Sequence, residues 1–123
     1  MRLVLDTDPH VLTVRRYASH EVDVGGQVLQ APFLVSASRL ITDWPVSSAA
    51  ALDLDALEPA LALKPNILII GDDARPTSAL RRAVEARGVA FEVMDLGAAC
   101  RTYNVLVQER REVVAGLFPK GSP

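Results

Sequence analysis

The residues Ile67-Leu68-Ile69-Ile70-Gly71 place the strongest constraint on the fold of this chain. They form a short, uninterrupted apolar run that is rich in β-branched side chains, which is the pattern of a strand. Because the side chains of a strand alternate between its two sides, a run without polar residues predicts a strand that is covered on both faces. The rest of the chain must therefore supply a layer of structure on each side of it.

The sequence after this strand changes to the periodicity of a helix and then back. Thr77 or Ser78 can cap a helix that ends at Gly88, and the next strand is predicted over residues 89–94. A strand, a helix and a second strand of these lengths predict a parallel pair with a right-handed crossover. A second helix over about residues 97–108 and a final strand over 113–118 follow.

The first half of the chain is predicted to consist mainly of short strands. Residues 11–14 are mostly β-branched and apolar, residues 33–35 are apolar, and residues 22–24 alternate with a period of two. Gly25-Gly26 separates residues 22–24 from Val28-Leu29, which is a strong signal for a β-hairpin. These features predict an antiparallel arrangement for the N-terminal part.

Residues 49–63 are predicted to be helical, with Leu54, Leu57 and Leu61 on one face. Pro59 interrupts this stretch, so we expect two short helical pieces rather than one long helix. Together the elements predict the α/β class: one three-layer domain over residues 1–123, with a mixed β-sheet, packed helices and an antiparallel N-terminal part.

Charge and composition exclude several classes of protein. The formal net charge is −2, which provides no electrostatic attraction to nucleic acid or to an anionic membrane. The single cysteine, Cys100, excludes an internal disulfide framework and a multi-cysteine metal cluster. The apolar runs are far shorter than the roughly 20 residues that cross a bilayer, so we expect no membrane insertion. Asp6 and Asp8 near the N-terminus are unlike a transit peptide, and we expect a cytoplasmic protein of a bacterium.

Three known types of site are matched only in part. Residues 3–8 are similar to the first strand of haloacid-dehalogenase phosphatases, but the chain has no room for the further domain that those enzymes carry. A receiver domain that began at Ile67 would need more residues than follow it. A dinucleotide site needs glycines in the strand-to-helix turn, and none lies between Gly71 and Gly88. We therefore assign no catalytic, cofactor-binding or metal-binding residue, and we expect no cofactor.

The most distinctive stretch is Asp95-Leu96-Gly97-Ala98-Ala99-Cys100-Arg101-Thr102-Tyr103-Asn104. Together with Trp44-Pro45-Val46, the strand at residues 67–71 and the ending at 114–119, it resembles a family of small domains of unknown biochemical activity. That family includes the mitochondrial NADH dehydrogenase (complex I) assembly factor 3 and the adipogenesis-associated Mth-type domain protein. The resemblance covers about residues 22–119. It implies a three-layer α/β fold and a role in protein contacts, but no established reaction. Asp72-Asp73 departs from the small residues that many relatives carry there.

Residues from two neighbouring parallel strand ends are predicted to meet at one crevice, where ligands usually bind in such sheets. The candidate crevice residues are Gly71, Asp72, Cys100, Arg101, Thr102 and Asn104. The same side chains also have a structural interpretation. Thr102 and Asn104 would then cap or cross-link loops, and Arg101 would neutralise Asp72 or Asp95.

Two functions are compatible with the sequence. The first is a non-enzymatic protein-interaction or assembly module with a protein partner, which the resemblance favours. The second is a small-molecule binder or a cryptic enzyme that uses the crevice near Asp72 and Arg101. For Cys100, a helix position next to the apolar stripe of Ala99 and Tyr103 predicts a buried and unreactive thiol.

Overall fold

The computed structural model describes residues 10–121, which contain two sheets, three α-helices and one 3-10 helix. The strands are β1 (Val14–Tyr17), β2 (Val22–Val24), β3 (Gln27–Leu29), β4 (Phe33–Ser36), β5 (Leu40–Ile41), β6 (Ile67–Gly71), β7 (Ala90–Met94) and β8 (Val113–Leu117). The helices are α1 (Leu54–Leu61), α2 (Ser78–Glu85) and α3 (Leu96–Gln108), and the 3-10 helix is Ala49–Ala51. Within the described range, no helix is both long and apolar enough to cross a membrane.

The larger sheet has five strands in the order β5-β4-β8-β6-β7. In it, β6 runs parallel to both β7 and β8, while β4 runs antiparallel to β5 and β8. The smaller sheet is antiparallel and has the order β1-β2-β3. The predicted mixed sheet with an antiparallel N-terminal part is therefore confirmed, as is the parallel pairing of β6 with β7.

The five-stranded sheet is covered on both faces, as the apolar run of β6 predicts. Leu68 and Ile70 belong to the cluster that α1 and α2 complete on one face. Ile69 points to the opposite face, where it joins a cluster with α3 and the three-stranded sheet. All three side chains are completely buried, so this strand lies at the centre of three layers.

The N-terminal hairpin forms where the glycine pair predicts it. Gly25 and Gly26 have φ values of 59° and 97°, and they join β2 to β3. Such positive values favour glycine in a two-residue turn. The preceding strand begins only at Val14, whereas the sequence predicted it over residues 11–14. The N–H of Leu12 instead donates to the carbonyl of Ala37 at 2.9 Å, which ties this segment to the β4–β5 turn.

The predicted break in the first helical region is present but lies elsewhere. The 3-10 helix and α1 are separated before Asp53, whose carboxylate accepts a hydrogen bond from the N–H of Ala56 at 2.8 Å and so caps α1. Pro59 lies inside α1 without ending it. The N–H of Ala62 still donates to the carbonyl of Glu58 at 2.8 Å, which closes the turn around the proline. The prediction that Pro59 divides the helix is therefore wrong.

Candidate functional site

A crevice of about 280 Å³ opens where β6, β8 and α3 meet the turn after β1. The parallel strands β6 and β7 end on this side, so the crevice lies at the edge where the sequence predicted one. Its lining includes Tyr17, Ser19, Asp72, Gly97, Phe118 and Lys120.

Asp72 is the charged group at the base of the crevice. Only 1% of its side chain is exposed, and both of its carboxylate oxygens are engaged. Oδ2 accepts a hydrogen bond from the N–H of Ala49 at 2.9 Å. Oδ1 accepts one from the N–H of Asp73 at 2.8 Å and one from Nζ of Lys120 at 2.9 Å. Asp72 therefore joins the end of β6 to the 3-10 helix and to the segment after β8.

The ionic states of Asp72 and Lys120 favour each other. Burial raises the pKa of Asp72, but the N–H of Ala49 and the ammonium of Lys120 outweigh that effect and hold the pKa below its usual value. The hydrogen bond from Lys120 raises the pKa of the lysine in turn. The pair is therefore charged at neutral pH, and Asp72 has little tendency to accept a proton there.

Gly71 lies beneath the crevice rather than in its wall. A Cβ atom at this position would be 2.6 Å from Cβ of Ala99 and 2.9 Å from Cδ2 of Leu117. Such distances are too short for carbon atoms, so Gly71 allows α3 to pack directly on β6. The residue thus determines how closely the start of α3 approaches the strand end.

Cys100 lies in the cluster between α3 and the sheet and is not among the residues that line the crevice. It is 1% exposed, which confirms the predicted burial. Burial raises the pKa of its thiol to about 12, although Arg101 opposes the shift. The thiol is therefore protonated at neutral pH and is a poor nucleophile.

Asn104 holds α3 against β1. Its Oδ1 accepts a hydrogen bond from the N–H of Val14, and its Nδ2 donates to the carbonyl of the same residue, both at 2.8 Å. The hydroxyl of the preceding residue, Tyr103, donates to the carbonyl of Leu12 at 2.8 Å. The Asn104 amide is thus used within the fold, and half-buried Thr102 does not line the crevice either.

Arg101 is exposed and contacts Tyr17 at the rim of the crevice. Its Nη1 donates to the Tyr17 hydroxyl, and its guanidinium carbon lies 5.9 Å from the centre of the ring. Within residues 10–121, the ion pair of Asp72 is with Lys120 and not with Arg101. The structure therefore places Asp72 in the crevice, Gly71 below it and Arg101 beside it.

Of the predicted crevice residues only Asp72 lines the crevice, and the sequence missed Tyr17, Phe118 and Lys120 among others. Lys120 lies 48 positions from Asp72, and Tyr17 lies 84 positions from Arg101. No periodicity or motif spans such distances, although Phe118 falls in the ending that carries the family resemblance. Among the described residues, no three His, Cys, Asp or Glu side chains are grouped to hold a metal ion.

Comparisons with known proteins agree with the fold and with the predicted resemblance. A family model described as "Protein of unknown function (DUF498/DUF598)" matches residues 14–118. The NADH dehydrogenase [ubiquinone] 1 alpha subcomplex assembly factor 3 of Xenopus tropicalis is 32% identical over 111 residues, which cover 86% of this chain and 60% of that protein. The chain thus spans about three fifths of the length of this curated relative.

Two solved bacterial structures cover nearly the whole chain. The NMR structure of a Xanthomonas campestris protein has a TM-score of 0.84 at 29% identity and covers 98% of this chain and 96% of its own. The structure of a Mth938-like domain from Bordetella pertussis has a TM-score of 0.81 at 26% identity, with 99% and 94% covered. The chain is therefore similar to these bacterial proteins in sequence as well as in architecture.

Proposed function

This chain belongs to the DUF498/DUF598 family of proteins of unknown function, and from that premise we propose that it is a non-enzymatic protein-interaction module of the assembly type. The observation that carries the proposal is the similarity to a protein named as an assembly factor, which extends over 86% of this chain. We transfer to this chain only the general role of an assembly factor. The relative is longer than this chain, and the assembly of NADH dehydrogenase is stated only in the name of that relative. We propose the bacterial cytoplasm as the location, in keeping with the bacterial structural relatives.

The chemistry of the candidate site supports binding more than catalysis. The Asp72 oxygens already accept three hydrogen bonds, and its charge is balanced by Lys120. The thiol of Cys100 is buried and protonated. A general base must be able to reach a substrate proton, and the engaged oxygens of Asp72 are not free to do so. A nucleophile must be accessible, and the thiol of Cys100 is not. Asp72 forms the base of the crevice, whereas Cys100 packs between α3 and the sheet.

The crevice has the properties of a preformed docking site for a partner side chain. Phe118 is 2% exposed and packs against Trp44 with 5.3 Å between ring centres, which fixes one wall. Tyr17 is 41% exposed and is held by Arg101. Lys120 keeps 55% of its side chain exposed beside them. The exposed charged residues of the lining are Lys120, Asp73 and Asp95. A rigid apolar surface with charged groups at its rim favours binding because little freedom is lost on contact.

The test is affinity purification of the tagged full-length protein from its own host at native expression. We compare the unmodified protein with Ser19→Trp, which places a large side chain in the crevice, and with Ser38→Trp, which places the same side chain on an exposed turn at β4–β5. We expect a specific partner that Ser19→Trp loses and Ser38→Trp retains. The absence of any specific partner, or equal recovery by both variants, would contradict the proposal.

A small-molecule binder or cryptic enzyme is the second candidate, and the volume of the crevice favours it. About 280 Å³ is close to the lower end of ordinary ligand pockets, which are mostly apolar with a few polar groups. Thermal-shift screening against a library of metabolites and metal ions tests this candidate. A compound that raises the melting temperature of the unmodified protein but not of Ser19→Trp would support it. Unchanged melting across the library would exclude it.

A further inference from the structure

The strand β7 forms one edge of the five-stranded sheet and pairs only with β6. The N–H of Ala90 donates to the carbonyl of Asn66 at 2.9 Å, and the carbonyl of Met94 accepts from the N–H of Asp72 at 3.0 Å. Because these two residues direct their backbone groups toward β6, alternation directs those of Phe91 and Val93 to the open side. Within residues 10–121, only the Phe91 carbonyl among these groups has a protein partner, the guanidinium of Arg81.

A groove of about 180 Å³ runs beside this edge, between β7 and the segment that leads into α2. Its apolar surface comes from Phe91, Val93 and Pro76, and its two charged residues are both arginines, Arg75 and Arg81. Arg81 is fixed in place, with its guanidinium carbon 5.4 Å from the centre of the Phe91 ring. The groove therefore combines unpaired backbone groups, an apolar floor and positive charge.

We propose that the β7 edge binds an extended, acidic segment of a partner protein, which adds to the sheet as a further strand. The added strand pairs with the N–H and carbonyl of Val93 and with the N–H of Phe91, since Arg81 already occupies the Phe91 carbonyl. Its acidic side chains lie toward Arg75 and Arg81. This surface is separate from the crevice, so the inference goes beyond the function proposed above.

Charge determines which occupant fits the edge. A second copy of this chain that paired β7 with β7 would bring two sets of Arg75 and Arg81 together on one face and two copies of exposed Glu92 on the other. Like charges that face each other across paired strands are destabilising. Arg81 is already 3.8 Å from a carboxylate oxygen of Glu85 on α2, so Arg75 contributes most of the positive charge that a partner meets. An acidic strand from another protein provides a carboxylate for Arg75 and a second one for Arg81, and guanidinium groups bind carboxylates well.

The experiment uses the full-length, ¹⁵N-labelled protein and a synthetic eight-residue peptide in which Thr or Val alternates with Glu. We expect NMR shifts confined to β7 and the α2 entry, together with slower exchange of the Val93 amide hydrogen. A peptide with Lys in place of Glu, and a Glu peptide with alternate backbone nitrogens methylated, should each bind at least ~10-fold more weakly. The methylated peptide tests the backbone pairing without altering the protein.

Two protein variants and one control locate the effect. Val93→Pro removes an N–H that points away from β6, so it should weaken binding about tenfold while the sheet is retained. Arg75→Glu should weaken binding of the Glu peptide to a similar degree and favour the Lys peptide, whereas Arg39→Glu on the β4–β5 turn should change neither. If Val93→Pro fails to fold, the methylated peptide decides the backbone question.

Several results would overturn the inference. Equal binding of the Glu and Lys peptides would exclude the acidic partner, and equal binding of the methylated peptide would exclude strand addition. Self-association of the free chain that Val93→Pro abolishes would identify a second copy as the occupant. Because Ser19→Trp leaves β7 unchanged, it should bind the Glu peptide normally, so a failure of the crevice proposal remains distinguishable from a failure here.

Discussion

Replacement of Gly71 by alanine tests how closely α3 must approach β6. The added methyl group would be 2.6 Å from Cβ of Ala99 and 2.9 Å from Cδ2 of Leu117. The leucine methyl can rotate away, but Cβ of Ala99 is fixed to the backbone of α3, so the helix or the strand must shift. Overpacking of this kind costs about 3 kcal/mol.

Part of that cost is offset because alanine restricts the unfolded chain, which is worth about 0.7 kcal/mol. We therefore expect Gly71→Ala to lower the free energy of unfolding by about 2 kcal/mol. Urea unfolding followed by the fluorescence of Trp44 measures it, since this is the single tryptophan and it is 5% exposed in the folded state.

A double-mutant cycle shows whether the Ala99 contact causes the loss. Ala99→Gly alone should cost about 1 kcal/mol because glycine disfavours a helix interior. It also removes the blocking Cβ, so Gly71→Ala with Ala99→Gly should be about 1.5 kcal/mol more stable than the sum of the single changes predicts. As a control, Gly88→Ala strains a residue with φ of 80° but has no atom within 4 Å, so its effect should add to that of Ala99→Gly.

The result that would refute this reasoning is additivity. If the Gly71 and Ala99 effects sum to within about 0.5 kcal/mol, the contact does not limit the approach of α3. A loss below about 0.5 kcal/mol for Gly71→Ala alone would lead to the same conclusion.

Three further predictions concern the other candidate residues. Cys100→Ser should lower the free energy of unfolding by about 1 kcal/mol or somewhat more, because a hydroxyl in that apolar cluster lacks a partner; labelling of the native thiol should be slow at neutral pH, and rapid stoichiometric labelling would contradict its burial. Asn104→Asp should cost about 2 kcal/mol in urea unfolding, because a carboxylate oxygen would then face the carbonyl of Val14, and an unchanged stability would exclude this role of the amide. The folded state lowers the pKa of Asp72, so the stability that its charge provides is present above the ordinary carboxyl pKa and is lost as the pH falls through the folded pKa. The difference in free energy of unfolding between the unmodified protein and Asp72→Asn should therefore shrink below about pH 4. A difference that stays constant down to about pH 2 would contradict this linkage.

The sequence predicted those parts of the fold that depend on local patterns. The apolar run of β6, the cap at Thr77 and the glycine pair of the hairpin each act within a few residues, and each lies where it was expected. The break at Pro59 was misplaced because the cap at Asp53, and not the proline, sets where α1 begins.

The candidate site was predictable only in part. The rule that ligands bind at the carboxyl ends of parallel strands located Asp72, but the ion pair with Lys120 joins residues that no local pattern connects. Asn104 and Cys100 were grouped with Asp72 because they follow the next strand closely. A helix rotates successive side chains by about 100°, so these residues were directed to the packed side of α3 instead. Whether the crevice is functional remains a prediction.

The strand order has a consequence for protein synthesis. Among the strands of residues 10–121, β8 comes last in the sequence, yet it lies between β4 and β6 in the five-stranded sheet. Until the ribosome has released residues 113–117, the pair β4–β5 and the pair β6–β7 have no common strand and both inner edges are exposed. The five-stranded sheet therefore cannot be built by adding neighbouring strands in the order in which they are synthesised. A nascent chain halted before Val113 would present two unpaired apolar edges to chaperones and to other nascent chains.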